Sequence, residues 1–178
     1  PSRGYHHGNL KEALVQAALD LIAQKGPAGF TFAEAARSAG VSPAAPYRHF
    51  RDRDDLLASI AQRGFEQFEA ALSAAWDDGR PDTQTAFERL GRAYLTFARN
   101  DPASYSAMFE SGLPIDRFPA LSLASERAFA VIRAAAERLA AMTPPDVPRP
   151  PAMMMALHIW SMSHGIASLF GRGDAARR

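Results

Sequence analysis

The stretch TFAEAARSAGVSPAAPYRHF, residues 31–50, decides the fold because it predicts two short helices joined by a tight turn. Thr31 predicts a capped helix start, since Glu34 three residues later can bond back to it. Gly40 predicts the end of that helix, because glycine readily adopts the left-handed backbone found after a helix C-terminus. Ser42 predicts the cap of a second helix, with a proline at the preferred first position. The pattern is typical of a helix-turn-helix, whose second helix enters the DNA major groove.

The second predicted helix, about residues 43–49, has side chains suited to a nucleic-acid surface. Its alanines are small, so the helix backbone can approach base edges and the methyl groups can touch thymine. Tyr47 and His49 can bond phosphate, and Arg48 can bond phosphate or a guanine edge. Pro46 is the fourth residue of this helix, so it removes only the bond back to the cap carbonyl. We therefore expect this helix to contact DNA.

The composition is that of an ordinary globular protein, with 47% of the 178 residues apolar and 22% charged. The net charge is only +1, so any surface that attracts DNA must be local. Residues 1–51 contain six Lys and Arg against three Asp and Glu, and this local charge of +3 lies at the end that holds the predicted motif. The absence of cysteine excludes disulfides and thiol chemistry and fits a reducing compartment, so we expect a cytoplasmic protein.

Helical periodicity continues through the rest of the chain, and no segment shows the alternation of a strand. About eight helices are predicted, near residues 10–25, 32–39, 43–49, 53–76, 83–99, 102–110, 119–141 and 152–170. The first is predicted to be capped by Asn9, and the proline-rich TPPDVPRPP at 143–151 predicts a stiff linker. The expected fold is all-α, with a three-helix DNA-binding domain over residues 1–52 and a C-terminal helical bundle over residues 53–178.

These segments resemble the TetR family of bacterial transcription regulators. The resemblance covers about residues 9–57 and rests on NLKEALVQAALDLIAQKG, TFAEAARSAGVS, PYRHF and RDRDDLL in that order. Members of the family usually have Thr or Ala and then Leu or Ile where Ala45 and Pro46 stand, a departure that concerns base preference and not the fold. GYHHGNL at 4–10 and WSMSHG at 160–165 resemble a subgroup with a Trp-x-x-x-His-Gly motif in its C-terminal domain.

The resemblance implies a homodimer in which each subunit places one recognition helix in half of a near-palindromic double-stranded DNA operator. The C-terminal helices would form the dimer interface and a pocket for a small apolar or amphipathic effector, whose binding usually releases the operator. By position, the family's phosphate-contacting set matches Thr31, Ser42, Tyr47, His49 and Arg53. The base-facing positions match Ala44, Ala45 and Arg48, and the expected DNA-binding surface also includes Pro43.

The last predicted helix lies in a run, residues 152–171, that contains no Asp, Glu, Lys or Arg. The run is long enough for a membrane span, but its serines, histidines and Gly165 favour an interior or dimer-interface helix. Two apolar faces follow from the helical period. The face predicted to pack against a helix of the second subunit comprises Met155, Ile159, Met162, Ile166 and Phe170. The face predicted to point into its own domain comprises Leu157, Trp160 and His164.

The candidate effector-pocket residues are large side chains of the C-terminal part, namely Tyr94, Phe97, Tyr105, Met108, Phe129, Trp160 and His164. For any single one of them the role of an ordinary core residue is favoured, whereas a pocket needs several, and the sequence does not show which of them would line it. His158 and His164 lack the i, i+4 spacing of a helical zinc pair. We therefore expect no metal and no other cofactor.

Two other classes of function stay open at this point, an enzyme and a helical effector-binding module without specific DNA binding. No nucleophile–base arrangement, phosphate loop or metal-ligand cluster is recognisable, and acid pairs such as Asp54 and Asp55 lie at helix ends, where capping explains them. The intact segment 42–50 argues against a module that has lost DNA binding. A steep fall of DNA affinity with salt would distinguish an operator-binding protein from both alternatives.

Overall fold

Seven α-helices are present in the computed structural model, which describes residues 10–144 and 146–170. The helices are α1 (Leu10–Lys25), α2 (Phe32–Ser38), α3 (Arg53–Trp76), α4 (Thr83–Asn100), α5 (Pro102–Phe109), α6 (Pro119–Met142) and α7 (Ala152–Phe170). Short 3-10 turns cover Ala45–Arg48, Asp77–Gly79 and Ile115–Arg117. No described residue is in a β-strand, so the predicted all-α fold class is confirmed. The predicted cap Asn9 lies outside the described residues.

The described chain divides into two compact units. The first comprises the described residues up to Gly64 together with Ala103–Leu121, and the second comprises Phe65–Pro102 and the described residues from Ser122 onward. The N-terminal half of α3 therefore belongs to the first unit and its C-terminal half to the second. The boundary predicted between residues 52 and 53 was meant to divide two functional domains, and it does not coincide with the division into compact units. It stays a prediction.

The core of the first unit is built from the apolar faces of α1, α2 and the start of α3. Leu14 and Ile22, which fall on one face of α1, are buried together with Leu56 of α3. Phe30, before α2, and Phe50, before α3, complete this core. Full burial of each large apolar side chain contributes roughly 1.5–3 kcal/mol. Since α2 has only seven residues, packing on this core and not helix propensity holds it in place.

A bidentate ion pair joins α1 to α3 in the first unit. Arg63 donates from Nη1 to Oε2 of Glu12 at 2.7 Å and from Nη2 to Oε1 at 2.6 Å. This hydrogen bonding by Arg63 holds the pKa of Glu12 below its usual value. Because both side chains are in contact with solvent, the pair adds little to stability and mainly fixes the geometry between the two helices.

In the second unit α4 packs along α7. Leu90, Tyr94 and Ala98 recur every four residues on α4 and are buried. Ala156 and Ala167 are the buried residues of α7, and their small side chains allow the two helices to approach closely. This pairing of α4 with α7 forms the walls of the groove described below.

The proline-rich segment after α6 is fastened to the end of that helix by Arg149. Its Nη1 donates to the carbonyl oxygen of Ala140 at 3.0 Å and to that of Thr143 at 2.7 Å. Carbonyl groups at a helix C-terminus lack intrahelical partners, so a cation at this position satisfies them and complements the helix dipole. The contact fixes where the chain leaves α6 and turns toward α7.

Candidate DNA-binding segment and effector groove

Residues 42–49 are here named the recognition segment. The turn between α2 and this segment is built around Gly40. Gly40 has φ +71°, in the left-handed region that favours glycine. Its N–H donates to the Arg37 carbonyl at 3.0 Å, and the Val41 N–H donates to the Ala36 carbonyl at 3.0 Å, which satisfies the end of α2. A Cβ at Gly40 would meet no atom within 4 Å, so backbone conformation and not space requires glycine here.

The start of α2 has the predicted capping box between Thr31 and Glu34. The Glu34 N–H donates to Thr31 Oγ1 at 3.2 Å, and the Thr31 N–H and hydroxyl donate to Glu34 Oε2 at 2.9 Å and 3.1 Å. Hydrogen bonds from Lys25, whose Nζ lies 2.8 Å from Oε1, and from Thr31 lower the pKa of Glu34 to about 2. Both donors of Thr31 are thus engaged within the domain, and its predicted phosphate contact stays a prediction. The helix-start donors left for a phosphate are the N–H groups of Phe32 and Ala33.

The recognition segment is shorter and tighter than the helix predicted over residues 43–49. Its regular part is the 3-10 turn Ala45–Arg48, which has no side-chain cap, so the prediction that Ser42 caps this helix is wrong. Pro46 is the cause, because without an N–H it cannot bond the Ser42 carbonyl four residues back. That oxygen accepts the Ala45 N–H at 3.0 Å instead, and the shorter bond tightens the turn.

The recognition segment separates buried from exposed side chains. Pro46 and Phe50 are buried in the domain. Tyr47 is 64% exposed, and Arg48 and His49 beside it are also exposed. The segment therefore exposes a phenol, a guanidinium and an imidazole to solvent, and their contact with DNA stays a prediction.

The tyrosine of the recognition segment is held in place by a ring contact. The Tyr47 ring meets Phe32 edge-on, with 5.0 Å between the ring centroids. The residues before it, Ser42, Pro43 and Ala44, are exposed and have short side chains. These short side chains leave the backbone of this part of the segment accessible, and its predicted approach to base edges stays a prediction.

Arg53, the remaining candidate for a phosphate contact, is bound within its own domain. Its Nε donates to the Phe30 carbonyl at 2.9 Å, its Nη2 donates to the Pro27 carbonyl, and its Nη1 lies 2.9 Å from Asp54 Oδ1. The guanidinium also lies over the Phe30 ring, 4.8 Å from its centroid. Arg53 thus fastens the loop before α2 to the start of α3, and its predicted contact with phosphate stays a prediction.

The second unit contains an apolar groove of about 310 Å³, here named the α4–α7 groove. It is lined by Phe87, Leu90, Gly91, Tyr94, Leu95, Ile132, Met155, His158, Ile159, Met162, Ser163 and Ile166. None of these lining residues is Asp, Glu, Lys or Arg. A concave, apolar site with few polar groups is typical of a small-molecule site, and its volume is at the small end of the usual range of roughly 300–1,000 Å³.

Two polar side chains, His158 and Ser163, interrupt the apolar lining of the α4–α7 groove. Few and separate polar groups of this kind orient a ligand without adding much to its affinity. Within residues 10–144 and 146–170, no three His, Asp or Glu side chains are grouped so that they could hold a metal ion.

Among the seven predicted effector-pocket residues, Tyr94 lines the α4–α7 groove. Trp160 meets the Tyr94 ring edge-on at 6.2 Å and the Phe129 ring at 5.1 Å between centroids. Phe97 joins this cluster through Phe68, at 5.0 Å. Phe97, Phe129 and Trp160 thus pack as a core that supports Tyr94, and they do not line the groove. A core role is the alternative that the sequence left open for them.

The other three predicted pocket residues have different partners and do not line the α4–α7 groove either. His164 Nε2 lies 3.4 Å from Oγ of Ser168, one helical turn further along α7. Tyr105 and Met108 are buried in the first unit, where Met108 packs so closely on Gly64 that a Cβ there would lie 2.8 Å from its sulfur. These large side chains fill cores because burial stabilises them most.

The stripe of α7 predicted to face a second subunit instead lines the α4–α7 groove, except for its last member. Met155, Ile159, Met162 and Ile166 belong to the groove lining, whereas Phe170 is exposed. The groove therefore accounts for this apolar stripe within one chain. An assignment of these residues to a dimer interface stays a prediction.

A third side of α7 is exposed and free of charge. Leu157, predicted to point into its own domain, is 51% exposed, so that prediction is wrong. The inward side is taken by Ala156 and Trp160, and the helical rotation of about 100° per residue turns Leu157 away from it. Along the exposed side lie Met154, Leu157, Ser161, Gly165 and Leu169, which are named the outer face of α7.

None of the described helices is both long and apolar enough to cross a membrane.

Comparison with protein families identifies the chain. Residues 14–60 match the model of the bacterial regulatory proteins of the tetR family, and residues 87–176 match that of the tetracyclin repressor-like C-terminal domain. The chain belongs to the TetR family. It is therefore a DNA-binding, ligand-responsive transcription regulator. Regulators of the TetR family bind operator DNA and small-molecule effectors, and they act as homodimers.

Solved structures share the TetR-type fold of this chain. A protein with unknown function from Rhodococcus sp. RHA1 has a TM-score of 0.76 at 31% identity, over 94% of this chain and 86% of that one. A bacterial regulatory protein in the tetR family from Rhodococcus RHA1 has a TM-score of 0.76 at 24% identity, over 92% and 86%. AibR, solved in complex with isovaleryl coenzyme A and operator DNA, has a TM-score of 0.72 at 16% identity, over 89% and 86%. At the two lower identities the likeness shows the fold.

In this TetR-family chain, sequence reasoning assigned Tyr94 of α4 to the effector pocket but missed the groove-lining residues Leu90, Gly91 and Leu95 on the same helix. Leu90 and Tyr94 share one side of α4, and Gly91 and Leu95 each lie one position further round the helix. The available signal was this second stripe with the same four-residue spacing. Glycine carried no apolar signal, although its missing side chain opens the groove.

Proposed function

We propose that this TetR-family protein is a repressor that binds a near-palindromic operator and releases it when a small apolar or amphipathic effector enters the α4–α7 groove. The observation that carries the proposal is the recognition segment, which buries Pro46 and exposes Tyr47, Arg48 and His49. The side chains of Arg48 and His49 form no hydrogen bond or ion pair with the described residues. Their polar groups are thus available to a partner, and duplex DNA offers the matching acceptors.

We assign different roles to the exposed side chains of the recognition segment. Tyr47 and His49 bond phosphates and set the register of the protein on the duplex. Arg48 reads a guanine edge, because it is the one long cationic side chain among residues 42–49. The short side chains of Ser42, Pro43, Ala44 and Ala45 let the segment lie deep in the major groove. The proposal places no base contact on Thr31 or Arg53.

The route by which an effector acts is proposed to pass through α3. Tyr94 lines the α4–α7 groove, and its ring lies 4.9 Å from the Phe68 ring of α3. An occupant that displaces Tyr94 must therefore move Phe68. Since α3 is one continuous helix that begins at Arg53, three residues after Phe50, this movement is carried toward the recognition segment.

We propose that the outer face of α7 forms the contact between two subunits. Leu157 and Leu169 expose large apolar surface on this face, which is costly unless a partner covers it. Ser161 and Gly165 lie between them and allow the backbone of a second helix to approach closely. This face replaces the groove-lining stripe as the proposed interface.

The relatives of this chain are transcription regulators, and we propose that it too acts by binding and not by catalysing a reaction. Its site of action would be the cytoplasm, where bacterial operator DNA lies. The alternative of an effector-binding module without specific DNA binding is disfavoured by the exposed, unpaired Arg48 and His49.

The proposed function is tested by DNA binding. An operator is selected from a random duplex library, and its affinity is measured by fluorescence anisotropy at several salt concentrations. We expect a steep loss of affinity with salt, with a slope that falls by about 1 for each charged phosphate contact removed. Tyr47→Ala should weaken binding to all sequences alike, whereas Arg48→Ala should cost roughly 1–3 kcal/mol and relax preference at one position.

The matched control for Arg48→Ala is Arg133→Ala, which removes an exposed arginine from α6 in the second unit. Its affinity should equal that of the wild type. A uniform loss in Arg48→Ala across all operator variants would move that side chain to a phosphate. Binding that is insensitive to salt and selects no sequence would contradict the proposed function itself.

A further inference from the structure

The α4–α7 groove has a charged continuation. A neighbouring space of about 330 Å³ shares Leu95 and Ile166 with the groove, so the two adjoin and one elongated molecule can occupy both. The continuation is bordered by Arg92 and Arg99 together with Thr96. One end of the combined site is consequently apolar and the other end is cationic.

The two arginines of the continuation lie on one side of α4. Seven residues separate Arg92 from Arg99, which is about two helical turns or roughly 10 Å along the axis. Thr96 lies between them, so a single head group placed there is within reach of both flexible side chains. The helix thus offers two guanidinium groups and one hydroxyl along the rim of one space.

Neither arginine of the continuation is neutralised by the described part of the chain. Arg92 and Arg99 are both exposed, and neither forms an ion pair with a described carboxylate. Among the described residues, no Asp or Glu lines either the groove or its continuation. The nearest carboxylates along the helix are Glu88, one turn before Arg92, and Asp101, beyond its end. The continuation is therefore a site of net positive charge.

We propose that the effector is an anionic amphiphile, with its apolar tail in the α4–α7 groove and an oxyanion head group, carboxylate or phosphate, between Arg92 and Arg99. This inference rests on the proposed function, in which the groove holds the effector. Guanidinium groups bind carboxylate and phosphate by paired hydrogen bonds, and Thr96 supplies a further donor. A neutral molecule would fill the groove but leave both arginines as they are, and a cationic one would be repelled.

The inference is tested with four probes of ten carbon atoms each, namely decanoate, decyl phosphate, 1-decanol and decylamine. Their affinities for the wild-type protein are measured by isothermal titration calorimetry near neutral pH. We expect the two anions to bind about tenfold more tightly than 1-decanol, decylamine to bind most weakly, and the preference to shrink with salt. The stronger of the two anions identifies the head group.

The double variant R92Q/R99Q should lose the preference for anions and keep the affinity for 1-decanol. The matched control is R133Q, which removes an arginine that lies 3.8 Å from Glu137 on α6 and does not line either space. The control should keep the wild-type order of affinities. Light scattering on each variant reports whether the assembly has changed.

Equal affinities of decanoate, decyl phosphate and 1-decanol for the wild type would overturn the inference, as would an anion preference that survives in R92Q/R99Q. Dissociation of R92Q/R99Q into monomers with the preference intact would assign the arginines to a contact between subunits and also overturn it. Release of the selected operator by 1-decanol, with no advantage for decanoate, would refute this inference and leave the proposed function standing. Failure of the wild type to bind duplex DNA would refute the proposed function, and the probe affinities do not depend on that result.

Discussion

Replacing Gly91 by leucine should close the α4–α7 groove and at the same time stabilise the protein. Gly91 lines the groove, and a Cβ built on it would meet no atom within 4 Å. Glycine inside a helix costs about 0.8–1 kcal/mol relative to alanine, and leucine is nearly as favourable as alanine. The Gly91→Leu variant should therefore gain roughly 0.5–1 kcal/mol in the free energy of unfolding.

The loss of ligand affinity in Gly91→Leu follows from the size of the groove. The added side chain takes space from a groove of about 310 Å³ and displaces about the same number of ligand carbons as it brings. Each buried methylene contributes about 0.8 kcal/mol, so about four displaced carbons cost roughly 3 kcal/mol, or about 200-fold in affinity. The ligand loss is thus several times larger than the gain in stability.

The assay combines urea unfolding, calorimetry with 1-decanol and light scattering. 1-Decanol is used because its binding depends on the apolar groove and not on the arginines. The matched control is Gly165→Leu, since Gly165 is also inside a helix and its Cβ would also meet no atom within 4 Å. Both variants should gain stability from the helix, but Gly165→Leu should keep the ligand and lose the dimer.

Each half of this experiment has a result that refutes the reasoning. Wild-type affinity for 1-decanol in Gly91→Leu would show that the groove is not the ligand site. A loss of stability in Gly91→Leu would show that the space beside its Cα is not open. A Gly165→Leu protein that stays dimeric would remove the outer face of α7 from the subunit contact.

Three further predictions concern the first unit. Thr31→Ala should lose about 1 kcal/mol of stability in urea because the cap of α2 is removed, whereas Thr31→Ser should keep the cap and the wild-type stability. Equal stability of all three proteins would contradict the role of the cap. The pKa of Glu34 is lowered from 4.5 to about 2, so its ionised form stabilises the fold above pH 4.5 and this contribution is lost as pH falls toward 2. Urea midpoints measured through that range should therefore converge for the wild type and Glu34→Gln, and a constant difference would refute the linkage. Arg53→Ala should lower the free energy of unfolding by about 1–3 kcal/mol because the carbonyls of Phe30 and Pro27 lose their donor. Arg53→Lys should recover part of this loss. An unchanged unfolding midpoint in Arg53→Ala would show that the contact does not hold the loop.

The features of the first unit that could be predicted from sequence are those decided within a few residues. The capping box of Thr31 and Glu34 and the left-handed Gly40 depend on local hydrogen bonds and backbone angles, and both are found. The prediction of a regular helix in the recognition segment was wrong because Pro46 acts on this segment in two ways. A missing N–H favours a shorter turn, and burial of the proline ring against the core fixes it there.

The α4–α7 groove, which is the proposed effector site, was harder to predict because large side chains do not indicate where a cavity lies. Trp160 and Phe129 were chosen for their size, yet size is what makes burial in a core favourable. The groove lies beside a glycine instead, and its walls include Leu95 and Ile166, which are common core residues in type. Periodicity shows which residues share a side of a helix but not whether the neighbouring helix leaves a gap against that side.

No charged residue occurs on α7 because three sides of this helix carry apolar residues that pack inward, line the groove or form the outer face. Ala156 and Trp160 pack inward, Ile159 lines the α4–α7 groove, and Leu157 lies on the outer face. Met162, which is 67% exposed, belongs to the groove lining and borders that outer face, so the two sites adjoin on one helix. A ligand that shifts the groove side of a rigid helix must also shift its outer face, and effector binding and subunit contact are then linked. By reciprocity of linked binding, dimerisation must change effector affinity by the same factor as the effector changes dimerisation.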